Sequence, residues 1–356
     1  MAFQRAVGYN NLPNGNFSPT IYSKKVQMAF RKKAVAQAIT NNDYFGEIAN
    51  FGDSVRIIKE PEITIFDYAR GSKIVPQDLT DSDFTLTIDR SRAWAFKIDD
   101  IEVSMSHVNW ESLARDRAAY KLADNFDGDI LGYMSGYEYT VNPSTGAVTF
   151  TARTTPVGTK ANTNADGDEL LATQKLTKSA FSSSGTGTNS IPIGVAGTYD
   201  ATPLQVLNRM SRLLDQQNVP TDNRWVVVDP IFVELLSDEN SKLVNNDYML
   251  NQNAGGQLTN GQLVANRIRG FTVYESNNLP TLGTGAGTIA TGGSGTNYGV
   301  IVAGHKSAVA TAEQLAKTEK LRPTDTFGDL IRGMHLYGRK ILRPEGLVTA
   351  LWNKAN

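Results

Sequence analysis

Few side chains in this sequence are suited to doing chemistry. Of 356 residues only three are histidine (His107, His305 and His335), no two of them close in sequence, and none is cysteine. Without thiols there is no disulfide staple, no thiolate nucleophile and no Cys-based zinc site. The scattered histidines do not form a His-Glu-x-x-His metal pair, and no Walker loop is present; each reads as a polar core or strand residue. Three stretches imitate known sites. Asn162-Thr163-Asn164-Ala165-Asp166-Gly167 begins like a calcium loop, but the bidentate acid needed at the twelfth position is Thr173. Gly285-Ala286-Gly287-Thr288-Ile289-Ala290 spells the relaxed dinucleotide pattern without a strand before it or a helix after it. Gly292-Gly293-Ser294-Gly295-Thr296 lacks the closing glycine of a nucleophile elbow. Asp99 and Glu102 are the carboxylates a carbohydrate-active enzyme could pair. Their place in an alternating strand points instead to a face turned to solvent or a partner.

The bulk numbers narrow the field further. Lys+Arg 35 against Asp+Glu 36 leave a formal net charge of −1, so no overall field draws in nucleic acid and any DNA contact is local or weak. A hydrophobic fraction of 40% and a mean hydropathy of −0.30 fit a soluble chain with a real core. The length allows two or three domains. No apolar run reaches the ~20 residues of a membrane helix, and Met1 to Arg5 lacks the apolar core of a secretion signal. The lack of cysteine suits synthesis in a reducing cytoplasm.

The elements come in a distinctive order. Residues 1–19 read as an arm, with the turn formers Asn10-Asn11-Leu12-Pro13-Asn14-Gly15-Asn16 burying almost nothing. Lys24 to Thr40 favours helix and carries a basic half: Lys24, Lys25, Arg31, Lys32 and Lys33. That half either faces enclosed DNA or is the wet side of a helix. Asp83 to Asp89 alternates strictly, as does Trp94 to Ile98, and Val55 to Tyr68 is a weaker strand pattern. Together they predict a long two-stranded ribbon over 54–103 with a charged, turn-rich tip near Ala69 to Lys73. Isolated hairpins are marginal in water, and ordering costs roughly 1–2 kcal/mol per residue. The ribbon therefore needs a surface, in this chain or in another subunit. Its charges (Arg70, Lys73, Asp78, Asp81, Asp83, Asp89, Arg90, Arg92) alternate in sign. They read either as a solvated face or, the favoured reading, as a docking surface that sets register between subunits.

A helix follows, predicted from Trp110 to about Met134 with Asn109 as cap and Leu113, Leu122, Phe126, Ile130 and Tyr133 as its buried stripe. At 1.5 Å per residue it would span ~37 Å. Residues 138–200 read as a Thr/Ser/Gly-rich insertion with a hairpin over Tyr139 to Phe150. Then comes an α/β segment. Thr202-Pro203-Leu204-Gln205 is a capping box, Trp225-Val226-Val227-Val228 a buried strand, and Asp229-Pro230 a second helix start. Phe271 to Tyr274 and Tyr298 to Val302 are further strands, and Leu330 to Leu351 is mostly extended.

This order of parts (arm, short helix, ribbon, long helix, α/β domain, closing strands) resembles the major capsid proteins of tailed bacteriophages, which share the HK97 fold. Three phrases carry the resemblance: Arg224 to Pro230, Val302 to Val309, and Phe327-Gly328-Asp329-Leu330-Ile331-Arg332-Gly333 continuing through Tyr337-Gly338-Arg339-Lys340 to Arg343-Pro344-Glu345-Gly346-Leu347-Val348. The resemblance implies an α+β HK97-like capsid fold and a non-enzymatic, cofactor-free protein of the virion. Its divisions would be an N-terminal arm and short helix over 1–47, an E-loop over 48–103, and a P-domain spine helix with insertion over 104–200. An A-domain over 201–304, P-domain strands over 305–343 and a C-terminal A-domain strand over 344–356 complete it. The implied partners are the chain itself, as hexamers and pentamers of an icosahedral shell, and packaged double-stranded DNA held by weak non-specific contacts. A separate scaffolding protein, a portal and a decoration protein complete the set, with assembly in the host cytoplasm and no membrane involved. Some members weld subunits through a Lys–Asn isopeptide bond; Lys73, Asn353 and Asn356 are here, without a catalytic acid placed between them. Two other readings stay open: a tail-tube or surface-layer protein, and the enzyme using Asp99 and Glu102.

Overall fold

The protein is described by a computed structural model covering residues 31–32, 34–43, 54–59, 61, 63–71, 73–78, 82–105, 110–142, 144–152, 170–181, 190–195, 199–238, 258–259, 262–263, 267–282, 298–324 and 327–354. In chain order its elements are helix α1 (Ala36–Ile39), strands β1 (Ser54–Lys59), β2 (Ser82–Thr87) and β3 (Arg90–Asp99), and helices α2 (Asp100–Met105) and α3 (Trp110–Ser135). There follow β4 (Tyr137–Val141), β5 (Val148–Ala152), β6 (Lys175–Leu176), β7 (Ile191–Ile193), helix α4 (Pro203–Gln216), β8 (Arg224–Val228) and helix α5 (Pro230–Leu236). The last part holds β9 (Leu258–Thr259), β10 (Gln262–Leu263), β11 (Arg267–Ile268), β12 (Phe271–Glu275), β13 (Thr281–Leu282), β14 (Tyr298–His305), β15 (Val309–Leu321), β16 (Gly328–Ile341) and β17 (Leu347–Lys354).

The centre is an eight-stranded mixed sheet of order β11-β12-β8-β14-β17-β6, with β13 beside β14 and β7 beside β17. It is one wall shared by two cores. Val226 and Val228 of β8 face α4 and α5 together with Ile301, Val348 and Trp352. Trp225 and Val227 face the other way, onto α1 and the end of α3, with Val302, Leu347 and Ile130. A strand covered on both sides reads as an unbroken apolar run, which is why β8 was plain in the sequence. The helix starts are equally local. Thr202 and Gln205 exchange the two hydrogen bonds of a capping box with Pro203 in the first turn, and the Asp229 carboxylate accepts from the Phe232 N–H.

The long helix is 26 residues, one more than expected, and ends where Gly136 takes φ +86°, the left-handed turn that glycine adopts at no steric cost. Its stripe is not uniform. Phe126 to Ser135 are buried all round, between the sheet, the β4–β5 hairpin and β16. Leu113 and Leu122 are only half-buried.

Three expectations change. The helix expected over Lys24 to Thr40 is, among the described residues, the single turn Ala36–Ile39; the reason lies in a carboxylate described below. Asp99 ends β3 and Glu102 belongs to α2, so the two acids do not share a strand, and Asp99 caps the turn by accepting from the Ile101 N–H at 2.9 Å. The ribbon is also shorter than predicted. β1 pairs antiparallel with β2 from Ser54↔Thr87 to Lys59↔Ser82, whereas Trp94 to Ile98 lies in β3 and pairs with β16, Trp94 opposite Gly333. β3, β16 and β15 form a separate three-stranded sheet.

Candidate functional site

The ribbon is rooted by few residues. Leu86 is fully buried with Ala310, Ala312 and Leu342, and Val55, Ile57 and Ile88 pack around them. Gly338 of β16 lies against the Thr87 carbonyl so closely that any Cβ there would collide with it. Below the root, Arg90 turns inward to Glu138 at 2.5 Å. Arg339 and Asp129 form an ion pair at 2.8 Å that is almost wholly buried, and the Tyr337 hydroxyl donates to the same carboxylate at 2.9 Å. Burial pushes the Asp129 pKa up, with Arg339 and Arg90 opposing it. Such a pair costs desolvation and gives position: it ties the ribbon's exit, the long helix and the β4–β5 hairpin together.

Beyond the root the ribbon loses its cover. The described residues between β1 and β2 form no further strand, yet their limbs stay joined. The Gln77 side-chain amide donates to the Thr64 carbonyl at 2.8 Å and accepts from the Thr64 N–H at 3.2 Å, imitating a strand rung. On this loop Ile63, Ile65, Phe66, Tyr68, Ile74 and Val75 are between 51% and 93% exposed. A contiguous apolar strip on a protrusion marks an interaction surface. Their charged neighbours are the more conspicuous feature of the sequence; the run Ile63, Ile65 and Phe66, just beyond the paired strand, is the signal that marks them.

The predicted charges divide. Arg70, Lys73 and Asp78 are exposed on the loop, and Asp89 meets its neighbour Arg90 at 3.7 Å. Asp83 stands opposite Ile58 in β2, and nothing is described of its side chain; Asp81 lies outside the described residues. Arg90 and Arg92 are engaged within the chain, Arg90 on Glu138 and Arg92 over the Tyr139 ring at 5.9 Å. Of the basic set, Arg31 stacks on Tyr120 at 5.5 Å, and Lys32 reaches Asn278 Oδ1 at 2.7 Å. Lys24, Lys25 and Lys33 lie outside the described residues.

Facing outward beside the long helix is a groove of about 300 Å³. Trp94, Leu122, Phe126 and Met334 line it. The segment Ala34–Gln37 closes one side. That segment is held by Asp127 of α3. Its Oδ1 accepts from the Val35 and Ala36 N–H groups at 2.6 and 2.7 Å, and its Oδ2 from Asn278 Nδ2 at 3.0 Å. Burial raises the Asp127 pKa against those bonds.

The two described histidines have local partners. His305 accepts from the Ser307 N–H at 3.2 Å at the end of β14, its pKa lowered by burial, and His335 sits 3.5 Å from Glu313. Among the described residues no group of three or more His, Asp and Glu could hold a metal ion, and no helix is long and apolar enough to cross a membrane.

No family model and no curated protein matches the chain. Solved structures do. A chain from Mycobacterium phage Che8 is 24% identical with a TM-score of 0.65, over 94% of this chain and 97% of that one. A chain from the capsid of the cyanophage P-SCSP1u is 18% identical with a TM-score of 0.63, over 98% and 96%. One from the mature capsid of bacteriophage PhiM1 is 16% identical with a TM-score of 0.62, over 95% and 92%. These likenesses run end to end, and the chain has the HK97-type capsid fold.

Proposed function

We propose that the chain is the major capsid protein of a tailed double-stranded-DNA bacteriophage, and that it works by association rather than by catalysis. One observation carries the reading. Six large apolar side chains stand uncovered on a loop, in a protein whose central sheet is packed on both faces. The loop's backbone order costs roughly 1–2 kcal/mol per residue, and a sister subunit is the cover that offsets it. The whole-length likeness to chains from phage capsids supports the same conclusion.

In this reading the loop lies over a neighbouring subunit, and subunits gather into hexamers and pentamers of an icosahedral shell around the genome. Interfaces of about 1,600 Å² in total, repeated several times per subunit, make the shell strong from modest contacts. The β1–β2 ribbon and its loop, 54–87, act as the E-loop, 201–304 with the last strand as the A-domain, and the long helix with β3, β15 and β16 as the P-domain. Arg70, Lys73, Asp78, Asp81, Asp83 and Asp89 set the register of the loop on its neighbour. Lys24, Lys25, Arg31 and Lys33 face the DNA. A near-neutral chain holds a genome without gripping it.

The test is deletion of Arg70 to Asp81. Expressed with a scaffolding protein, the shortened chain should be soluble and folded by circular dichroism yet give no closed particles in negative stain. Normal particles from it would refute the docking role.

A further inference from the structure

A lysine, an asparagine and two carboxylates meet where the segment before α1 crosses the long helix. The Lys32 ammonium donates to Asn278 Oδ1 at 2.7 Å. The Asn278 amide nitrogen in turn donates to Asp124 Oδ1 at 2.9 Å and to Asp127 Oδ2 at 3.0 Å. These partners fix which way the amide points, because turned over it would offer a donor to lysine and an acceptor to the acids. Each part is also held from behind. The Lys32 N–H donates to the Tyr120 hydroxyl oxygen at 2.8 Å, and the Val35 and Ala36 N–H groups reach Asp127 Oδ1. The Asn278 N–H donates to the Ser276 hydroxyl oxygen at 3.2 Å. Asn278 is 7% exposed and Asp127 fully buried, whereas Lys32 lies at the surface.

We infer that Lys32 and Asn278 close an isopeptide bond within the chain, with Asp127 and Asp124 supplying the proton that frees the leaving nitrogen. No co-reactant is needed. The surface ammonium gives its extra proton to water, and the amine attacks Asn278 Cγ, the carbon bearing the oxygen it already touches. As the Nζ–Cγ bond forms, Nδ2 becomes pyramidal and gains a lone pair. One of the two acids protonates it, the Cγ–Nδ2 bond breaks, and the proton shed by Nζ restores the acid. Ammonia departs and takes up the proton first given to water. One cation enters as lysine and one leaves as ammonium, so atoms and charge balance. Both acids already touch the atom that must be protonated. Burial raises the Asp127 pKa against its bonds to Asn278, Ala36 and Val35, which favours the form that can donate. Anchored partners replace a chance encounter. The bond locks to the body a segment whose single helical turn, Ala36–Ile39, is too short to hold itself. It uses neither Lys73 nor Asn353 and Asn356, joins no second subunit, and stands or falls apart from the shell reading.

The purified full-length chain is weighed by mass spectrometry, fresh and after prolonged incubation, and then digested with trypsin. A chain lighter by one ammonia is expected, with a branched peptide joining residues 32–33 to residues 270–306. Lys32→Arg keeps the cation and the donor but has no amine to acylate, so it should lose nothing; Asn278→Ala should lose nothing either. Asp127→Asn and Asp124→Asn should each slow closure by about 100-fold. Asp127→Asn also disturbs the Val35 and Ala36 bonds, so Asp124→Asn, which touches neither, tests the acids even if the first variant folds poorly. An unaltered chain that keeps its full mass and yields no branched peptide overturns the inference and leaves a hydrogen-bonded latch. Ammonia lost without the branch marks a ring closed on the Asn278 backbone and overturns it equally. A branch that forms at the original rate in both acid variants removes the carboxylates from the reaction.

Discussion

β8 and the loop between β1 and β2 are both rich in branched and aromatic residues, yet they meet opposite fates. All five residues of β8 are buried, wrapped by one core on each side. On the loop Ile65 is 93% exposed. Hydrophobic density in a sequence therefore states that a segment needs cover. It does not state whether the same chain supplies it. For β8 the cover is α4 and α5 on one side and α3 on the other; for the loop none of the described elements provides it.

The contrast can be broken from either side. Val227→Asp would place an unpaired charge between two cores at a cost of about 4–5 kcal/mol, comparable with the whole stability of a domain. The expected outcome is insoluble chain with no cooperative melt. Asp229, at the end of β8, tests the same interior through pH. Burial raises its pKa from the ordinary 3.8 to about 7, against the bond from the Phe232 N–H. The folded state thus binds a proton more tightly than the unfolded one, and stability should fall as pH rises from about 4 to 7, then level off. The full difference is on the order of 4 kcal/mol at most. Asp229→Asn keeps the cap and removes the charge, so its melting temperature should exceed that of the unaltered protein at pH 8 and lose the slope; an unchanged slope would locate the effect elsewhere.

At the boundary between the two regions, Gly338→Ala drives a methyl into the Thr87 carbonyl and should cost about 1–3 kcal/mol in urea unfolding. The loop itself should respond least. Ile65→Asp should leave stability within about 0.5 kcal/mol and yet abolish closed particles in negative stain. A large loss of stability there would erase the distinction between the two regions.

Legibility in the sequence followed locality. Thr202 with Gln205, Asp229 with Pro230 and the run at Trp225 each state their structure within a few residues, and all three appear as read. Trp94 to Ile98 announced a half-covered strand by alternation, but alternation carries no address, and its partner β16 begins at Gly328, far along the chain. The same limit hid the fate of Arg90, whose partner Glu138 lies across a helix. Residues 34–37 are expected within the short helix over Lys24 to Thr40 because nothing nearby in sequence reveals that Asp127 claims the Val35 and Ala36 N–H groups. On the loop, charge drew attention away from Ile63, Ile65 and Phe66, since an exposed apolar side chain is recognised only once a structure leaves it bare.

The Gln77 amide has a consequence beyond the two bonds it makes to Thr64. Two flexible limbs that had to find each other at the moment of contact would give up their freedom then, and association would weaken accordingly. In the proposed shell, limbs clasped beforehand by one side chain meet a neighbour already in shape. Much of the disorder is surrendered while the subunit is still free in solution, and recognition becomes closer to the fitting of a finished part.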